Sequence, residues 1–363
     1  RRFKSSLMSY KGKGRKANVS LQHSSDVQQG PRFTKSDLSL LQLIKAGKEG
    51  IFYKARMTRG TCKGHEMFTC KIAKEGVTPK RVEMEVSIMR KLVHHKNVLQ
   101  LLDWNITEDY YCFLSLYISV LCELWQAIKD KLTPDPELQS LFTIASYHIA
   151  LAMEHLRSKM LPFSSQRTPE IQNGVVHCDL ALRNIMVNRF PWEVKVAEFG
   201  LARDLTRIRS YRSSRRKTPR VSPRAPSLVP PEYFRNNYYS FKGDVWSYGI
   251  VLWEMQMFGT LPYSNLETSE SVVYYICAGY KNKDPDGCRP EILQIMRDCW
   301  TEPYTSRPSF TDIVRILENI MENDAISNLP STFLNPVSKS FKSCTLQGGS
   351  SMDRTCLSST SHR

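Results

Sequence analysis

The sequence predicts an α+β chain of two lobes, the first rich in strands and the second rich in helices. Three observations predict it. Short apolar runs alternate with turn residues from Leu38 to Leu116. Long stretches with apolar residues at helical spacing fill the second half. Strand-like runs return there only as brief interruptions, such as Val175-Val176 and Val194-Lys195-Val196.

In chain order, residues 1–35 are polar and basic and lack periodicity, so they read as a disordered segment. The strand-rich lobe spans about 36–116 and holds one amphipathic helix over 79–92, where Val82, Val86, Met89 and Leu92 recur at helical spacing. The lobes join near 114–122, and the second runs from about 117 to 322. A long helix over 138–157 follows from Leu138, Leu141, Phe142, Ala145, Ile149, Met153 and Leu156. Residues 161–174 carry two Pro and a Gly between that helix and the next strand and read as an inserted loop. The stretch 205–224 mixes Arg with Ser and Pro and reads as an exposed loop. Helices follow over 244–258, 291–299 and 309–322. Residues 323–363 form a Ser/Thr-rich tail, with ten Ser and four Thr from 325 onward, and are expected to stay disordered.

Composition narrows the function classes. The chain has 363 residues, 41% of them hydrophobic, which suits a large folded core. The net charge of +16 lies in residues 1–33, 198–232 and 325–363, so the rest is neutral. That distribution argues against a nucleic-acid-binding body, which would carry a basic face throughout. The uncharged run Tyr110 to Cys122 has 13 residues, too few to span a bilayer. No signal peptide is visible after Arg1-Arg2-Phe3-Lys4. The ten Cys show no CxxC or zinc spacing and read as thiols in a reducing compartment.

Chemistry concentrates in His177-Cys178-Asp179-Leu180-Ala181-Leu182-Arg183-Asn184. A carboxylate there can accept a hydroxyl proton, and an amide oxygen five residues on can hold a metal. Glu198-Phe199-Gly200 follows fourteen residues after Asn184 and offers a second acidic group. The order HxD, Asn, acid-Phe-Gly is the order used in phosphoryl transfer by protein kinases. Further on stand Pro230-Pro231-Glu232, Asp244-Val245-Trp246-Ser247-Tyr248-Gly249-Ile250, Cys299-Trp300 and Arg307-Pro308-Ser309-Phe310. Over about 36–322 the chain resembles a protein tyrosine kinase catalytic domain of receptor-like type, with degenerate motifs. Arg183 before Asn184 matches the tyrosine-kinase form of the catalytic loop.

The resemblance implies a bilobal protein-kinase fold and a set of roles. Asp179 would be the base, with Arg183 beside it. Lys71 would contact ATP phosphates and pair with Glu85, with Glu83 as the rival partner. Gly47 and Gly50 would cover the phosphates, and Ser115, Leu116 and Tyr117 would form the adenine hinge. Asn184 and Glu198 would hold Mg²⁺. His177 and Phe199 would pack with Met89 in an apolar column. Glu232 would pair with Arg307, and Tyr211 would be the activation-loop phosphosite.

Several residues depart from the pattern. Lys45 replaces the first glycine of the phosphate loop. Cys178 replaces the Arg that receives an activation-loop phosphate through a charge-assisted pair. The run Arg212, Arg215, Arg216, Lys217 is either a solvated cluster or a substitute for it. Glu198 replaces the metal-binding Asp, and its extra methylene moves the carboxylate by about 1.5 Å. Mg²⁺ demands near-octahedral oxygens at about 2.0–2.1 Å, and misplacement near 1 Å can cost about a hundredfold in rate. Leu121 stands where the family has Gly, and Ser227-Leu228-Val229 lacks the family's basic-Trp pair.

Two functions follow as expectations. One is an ATP- and Mg²⁺-dependent tyrosine-protein kinase acting on protein substrates. The other is a weak or inactive kinase-fold scaffold that docks to a signalling partner. The resemblance implies cytoplasmic exposure, as in the cytoplasmic part of a membrane receptor. Residues 1–33 would then suit an anionic membrane surface.

Overall fold

The computed structural model describes residues 37–47, 49–62, 64–106, 111–114, 119–121, 125, 135–158, 174–205, 226–236 and 238–326. The expected hinge residues Ser115, Leu116 and Tyr117 lie outside the described residues. So do Tyr211, most of the inserted loop, residues 1–35 and the tail beyond Ile326, whereas 323–326, expected to be disordered, continue the last helix.

The first lobe is a five-stranded antiparallel sheet in the order β1-β2-β3-β5-β4. Its strands are β1 (Leu38–Ala46), β2 (Gly50–Met57), β3 (Met67–Ala73), β4 (Leu101–Asn105) and β5 (Tyr111–Leu114). Alternation on β3 sorts the faces. Phe68 and Cys70 are buried in a small core with Ala55, Met57, Cys62 and Leu102. Thr69 and Lys71 take the other face and are also buried.

Helix α1 (Pro79–Lys91) begins with Pro in its first turn and ends with Arg90 and Lys91, where the helix dipole favours cations. Val82, Val86 and Met89 are buried on its inner face, as the periodicity predicts, and Glu85 is buried with them.

The second lobe opens on β6, followed by α2 (Pro136–Ser158) and then β7–β10. Strands β6 (Ser119–Val120), β8 (Ile185–Arg189) and β9 (Glu193–Val196) form a three-stranded sheet. Strand β7 (Val175–Val176) pairs with β10 (Arg203–Asp204). Then come α3 (Pro231–Asn236), α4 (Phe241–Gln256), α5 (Ser269–Cys277), α6 (Pro290–Cys299) and α7 (Phe310–Ile326).

Helix α4 starts where Ser240 Oγ accepts from Gly243 N–H at 3.2 Å. From Asp244 to Gln256 every residue is buried, which fits its nearly apolar sequence. The sequence reading had not separated α3 and α5 from the loops around them. Both are short, and α5 depends on Thr268 Oγ1 accepting from Ser271 N–H at 3.1 Å. Among the described residues no helix is long and apolar enough to cross a membrane.

Backbone bonds join the lobes behind the cleft. Leu99 N–H donates to Val196 O and Val196 N–H donates to Asn97 O, both at 2.9 Å. Asn97 Nδ2 donates to Val194 O at 3.0 Å. These fix β9, and with it the segment that carries Glu198, against the first lobe.

Candidate active site

Lys71 projects from β3 into the cleft. Its ammonium meets both oxygens of Glu85 on α1, at 2.7 and 2.8 Å, and Glu198 Oε2 at 2.9 Å. Glu83, the rival partner, is exposed. Both Lys71 and Glu85 are buried, a placement in which each charge needs its partner. Gly50 is required beside them, because an added Cβ would lie 2.9 Å from Lys71 Cε and 3.0 Å from Ile72 O.

The catalytic-loop residues are held from below by α4. Asp244 accepts from His177 N–H at 2.7 Å and from Cys178 N–H at 2.9 Å. Glu254 accepts from Leu182 N–H at 2.9 Å. Burial pushes the Glu254 carboxyl up to about 7, against a smaller opposing effect of the Leu182 N–H. In the sequence Asp244 belongs to a helix-start motif, and Glu254 belongs to no motif. A carboxylate on a wholly apolar helix face is the signal that could have found it.

Asp179 is gripped on both oxygens. Arg183 Nη2 donates to Oδ1 at 2.8 Å, and Asn184 Nδ2 donates to Oδ2 at 2.9 Å and to the Asp179 carbonyl at 2.8 Å. His177 is fully buried, with Nε2 bonding to Ala197 O at 3.0 Å and its ring edge-on to Phe199 at 5.1 Å. Met89 is buried in the same core. Cys178 and Glu198 both have positive φ, at 66° and 70°. Non-glycine residues seldom adopt that conformation, and Asp enters it more readily than most.

Lys45 is the residue whose role the sequence reading missed. It was read only as a lost glycine. Its ammonium lies 3.1 Å from Arg183 O, 3.2 Å from Asn184 Oδ1 and 3.3 Å from Glu198 Oε1. The side chain is aimed by strand register. Lys45 stands opposite Phe52, and Phe52 opposite Lys71, so the three share one face of the sheet. A register shift between Leu43 and Lys45 turns Lys45 to that face. The buried Phe52 ring lies under both ammoniums, 4.7 Å from Lys45 and 5.5 Å from Lys71.

Charge in the cleft is therefore paired internally. Burial alone would raise the Glu198 carboxyl, but the Lys71 and Lys45 ammoniums outweigh it and hold the group down to about 2. Burial lowers the Lys45 ammonium from the usual lysine range, and Glu198 opposes that. The turn between β1 and β2 closes onto these groups. A Cβ at Gly47 would lie 3.1 Å from Glu198 Oε1, and one at Gly200 only 2.5 Å from Glu49 Oε2. Glu49 itself pairs with Arg81 of α1 at 2.6 Å.

The Mg²⁺ assignment can be tested on this donor set. Asn184 Oδ1 and Glu198 Oε1 converge, as the resemblance implies, but they converge on the Lys45 ammonium. The other Glu198 oxygen is taken by Lys71. Arranged this way the set does not fit a divalent ion, which would need those oxygens at about 2.0–2.1 Å.

Away from the cleft, Arg307 and Glu232 form a buried two-pronged pair at 2.8 and 2.9 Å. Arg307 also donates to Thr301 O at 3.1 Å and Lys242 O at 2.9 Å. The segment before Glu232 is packed as well. Leu228 and Val229 are buried, and Leu228 O accepts from Ser247 Oγ at 2.7 Å.

The chain is similar to known proteins. The chain is 33% identical over 245 residues to fibroblast growth factor receptor 1 of Dugesia japonica, covering 66% of this chain and 26% of that protein. It is 28% identical over 307 residues to tyrosine-protein kinase Abl of Drosophila melanogaster, covering 83% and 17%. It is 27% identical over 308 residues to the tyrosine kinase receptor Cad96Ca of the same fly, covering 80% and 37%. The chain thus spans well under half the length of each of these relatives. A family model described as protein tyrosine and serine/threonine kinase matches residues 38–317, and the chain belongs to that family.

Proposed function

We propose that this domain transfers the γ-phosphate of ATP to tyrosine hydroxyls of protein substrates. One observation carries the reading: the closed Lys71–Glu85 pair is joined through Glu198 and Lys45 to Asn184, which with Arg183 fixes the two oxygens of Asp179. Family membership supports a protein kinase, and tyrosine kinases among the relatives support tyrosine as the acceptor.

In this reading Lys71 neutralises phosphate charge on the nucleotide. Asp179 takes the proton from the attacking tyrosine hydroxyl. Its bonds to Arg183 and Asn184 hold the carboxylate in one orientation, so little is lost in aligning it. Asp244 and Glu254 position the loop that carries Asp179 by binding backbone N–H groups. The family generally uses ATP with Mg²⁺. Residues 36–322 act as the domain, exposed to the cytoplasm, and residues 1–33 lie against an anionic membrane surface when a membrane is near.

The test is phosphotransfer to a tyrosine copolymer, with parent and Asp179→Asn compared. The variant is expected to lose about a hundredfold to ten-thousandfold in rate, the range a positioned base supplies, while nucleotide binding persists. Equal rates in parent and variant would refute the role of Asp179. A second reading, a docking scaffold with little catalysis, is favoured by Lys45 standing among the metal ligands and by Cys178 in place of the phosphate-receiving Arg. A parent with no transfer above buffer would decide for it.

A further inference from the structure

We infer that Lys45 is the resident cation of the nucleotide site, so that a nucleoside triphosphate binds here without a divalent metal. The inference rests on the proposed ATP site and goes beyond it.

Three observations carry it. An ammonium has three N–H donors, and the Lys45 ammonium has three oxygens around it at 3.1 to 3.3 Å. Two of those oxygens, Asn184 Oδ1 and Glu198 Oε1, are the ones a bridging metal would need. The group is buried, 8% exposed, and sits over Phe52, so it is enclosed rather than swinging in solvent. Finally, the charges close without a metal. Lys45 and Lys71 alternate with Glu198 and Glu85 in one contiguous chain of ion pairs.

A divalent ion cannot share this space. It would have to approach Glu198 Oε1 and Asn184 Oδ1 to about 2.0–2.1 Å, displacing the ammonium that already pairs with them. It would also add two positive charges beside two buried lysines. Lys45 stands at the end of β1, where the chain enters the turn that covers phosphates. A triphosphate in the cleft would meet two tethered cations, Lys45 and Lys71, and would have to take the place of a protein oxygen on each, because the three donors of each ammonium are already in use. The first does for the phosphates what a metal does elsewhere in the family, and it is covalently part of the loop.

Equilibrium binding of a fluorescent ribose-modified ATP tests this, on the full chain, in excess chelator and in excess Mg²⁺. The expected result for the parent is a Kd that changes by less than about threefold between the two conditions. Lys45→Met should weaken binding in chelator by about tenfold to a hundredfold, as expected for loss of a charged hydrogen-bonding partner. Mg²⁺ should recover much of that loss, because Asn184 and Glu198 are then released. Lys45→Arg keeps a cation and should remain metal-independent, which separates charge from packing. Parent binding that requires Mg²⁺ overturns the inference and leaves the ATP site standing. Absence of binding in both conditions overturns the ATP site, and the inference falls with it.

Discussion

Glu254 shows how much a single buried group can matter to this site. It is 6% exposed on α4, binds the backbone of the catalytic loop, and has its carboxyl pushed up to about 7 by burial. Its ordinary value is 4.5. Between those two pH values the folded state holds more protons than the unfolded state, so this residue makes stability fall as pH rises from about 4.5 to 7. Above 7 the loss is complete. Glu254→Gln keeps an acceptor for Leu182 N–H and removes the ionisation. Urea midpoints across that range should show the variant gaining on the parent by on the order of 3 kcal/mol from the acid end to the neutral end. Parallel curves for the two proteins would show that Glu254 stays ionised when folded. Glu198 behaves oppositely. Its lysine partners hold it ionised down to about 2, so its stabilisation is present above 4.5 and fades only as pH falls toward 2.

At the scale of elements, the decisive joints are ion pairs between segments far apart in sequence. Arg307, at the turn before α7, reaches Glu232 at the start of α3, and neither is exposed to water. The Arg307 guanidinium also lies 5.0 Å from the Trp246 ring on α4. Removing the cation leaves Glu232 buried without its partner. Arg307→Ala should therefore destabilise the second lobe by roughly 3–5 kcal/mol, measured as a lowered denaturation midpoint. Arg307→Lys should recover only part of this, because a point charge cannot make the two parallel bonds of a guanidinium. A variant as stable as the parent would mean that the pair contributes nothing net. The same logic explains why α4 sits at the centre: it is buried from Asp244 onward, and its two carboxylates, Asp244 and Glu254, serve the loop above it.

Across the whole domain, the lobes are linked on two sides of the cleft. Behind it run the backbone bonds from Leu99 and Asn97 to β9. In front run the side-chain bonds of Lys45 and Lys71 to Arg183, Asn184 and Glu198. The front set is electrostatic, formed by charged and polar side chains. Lys45→Met should therefore raise amide hydrogen exchange at Ala46, Gly47, Glu49 and Gly50 and in residues 197–200 several-fold, with exchange in α4 unchanged. Unchanged exchange at the turn would show that backbone packing alone holds the loop down.

What the sequence determined by itself was local. Periodicity marked α1, α2, α4, α6 and α7, because each buries an apolar stripe or surface that its own residues declare. Motif order placed Asp179, Asn184 and Glu198 near Lys71 and Glu85, since side-chain chemistry limits which residues can do such work. The hinge and the activation loop fall outside the described residues, so those readings stand as expectations. Tertiary structure alone decided the role of Lys45. Its place in the cleft depends on a strand register shift and on a loop 138 residues away supplying its acceptors. A lysine on a strand reads as solvated until the fold removes the water and puts three oxygens in its place.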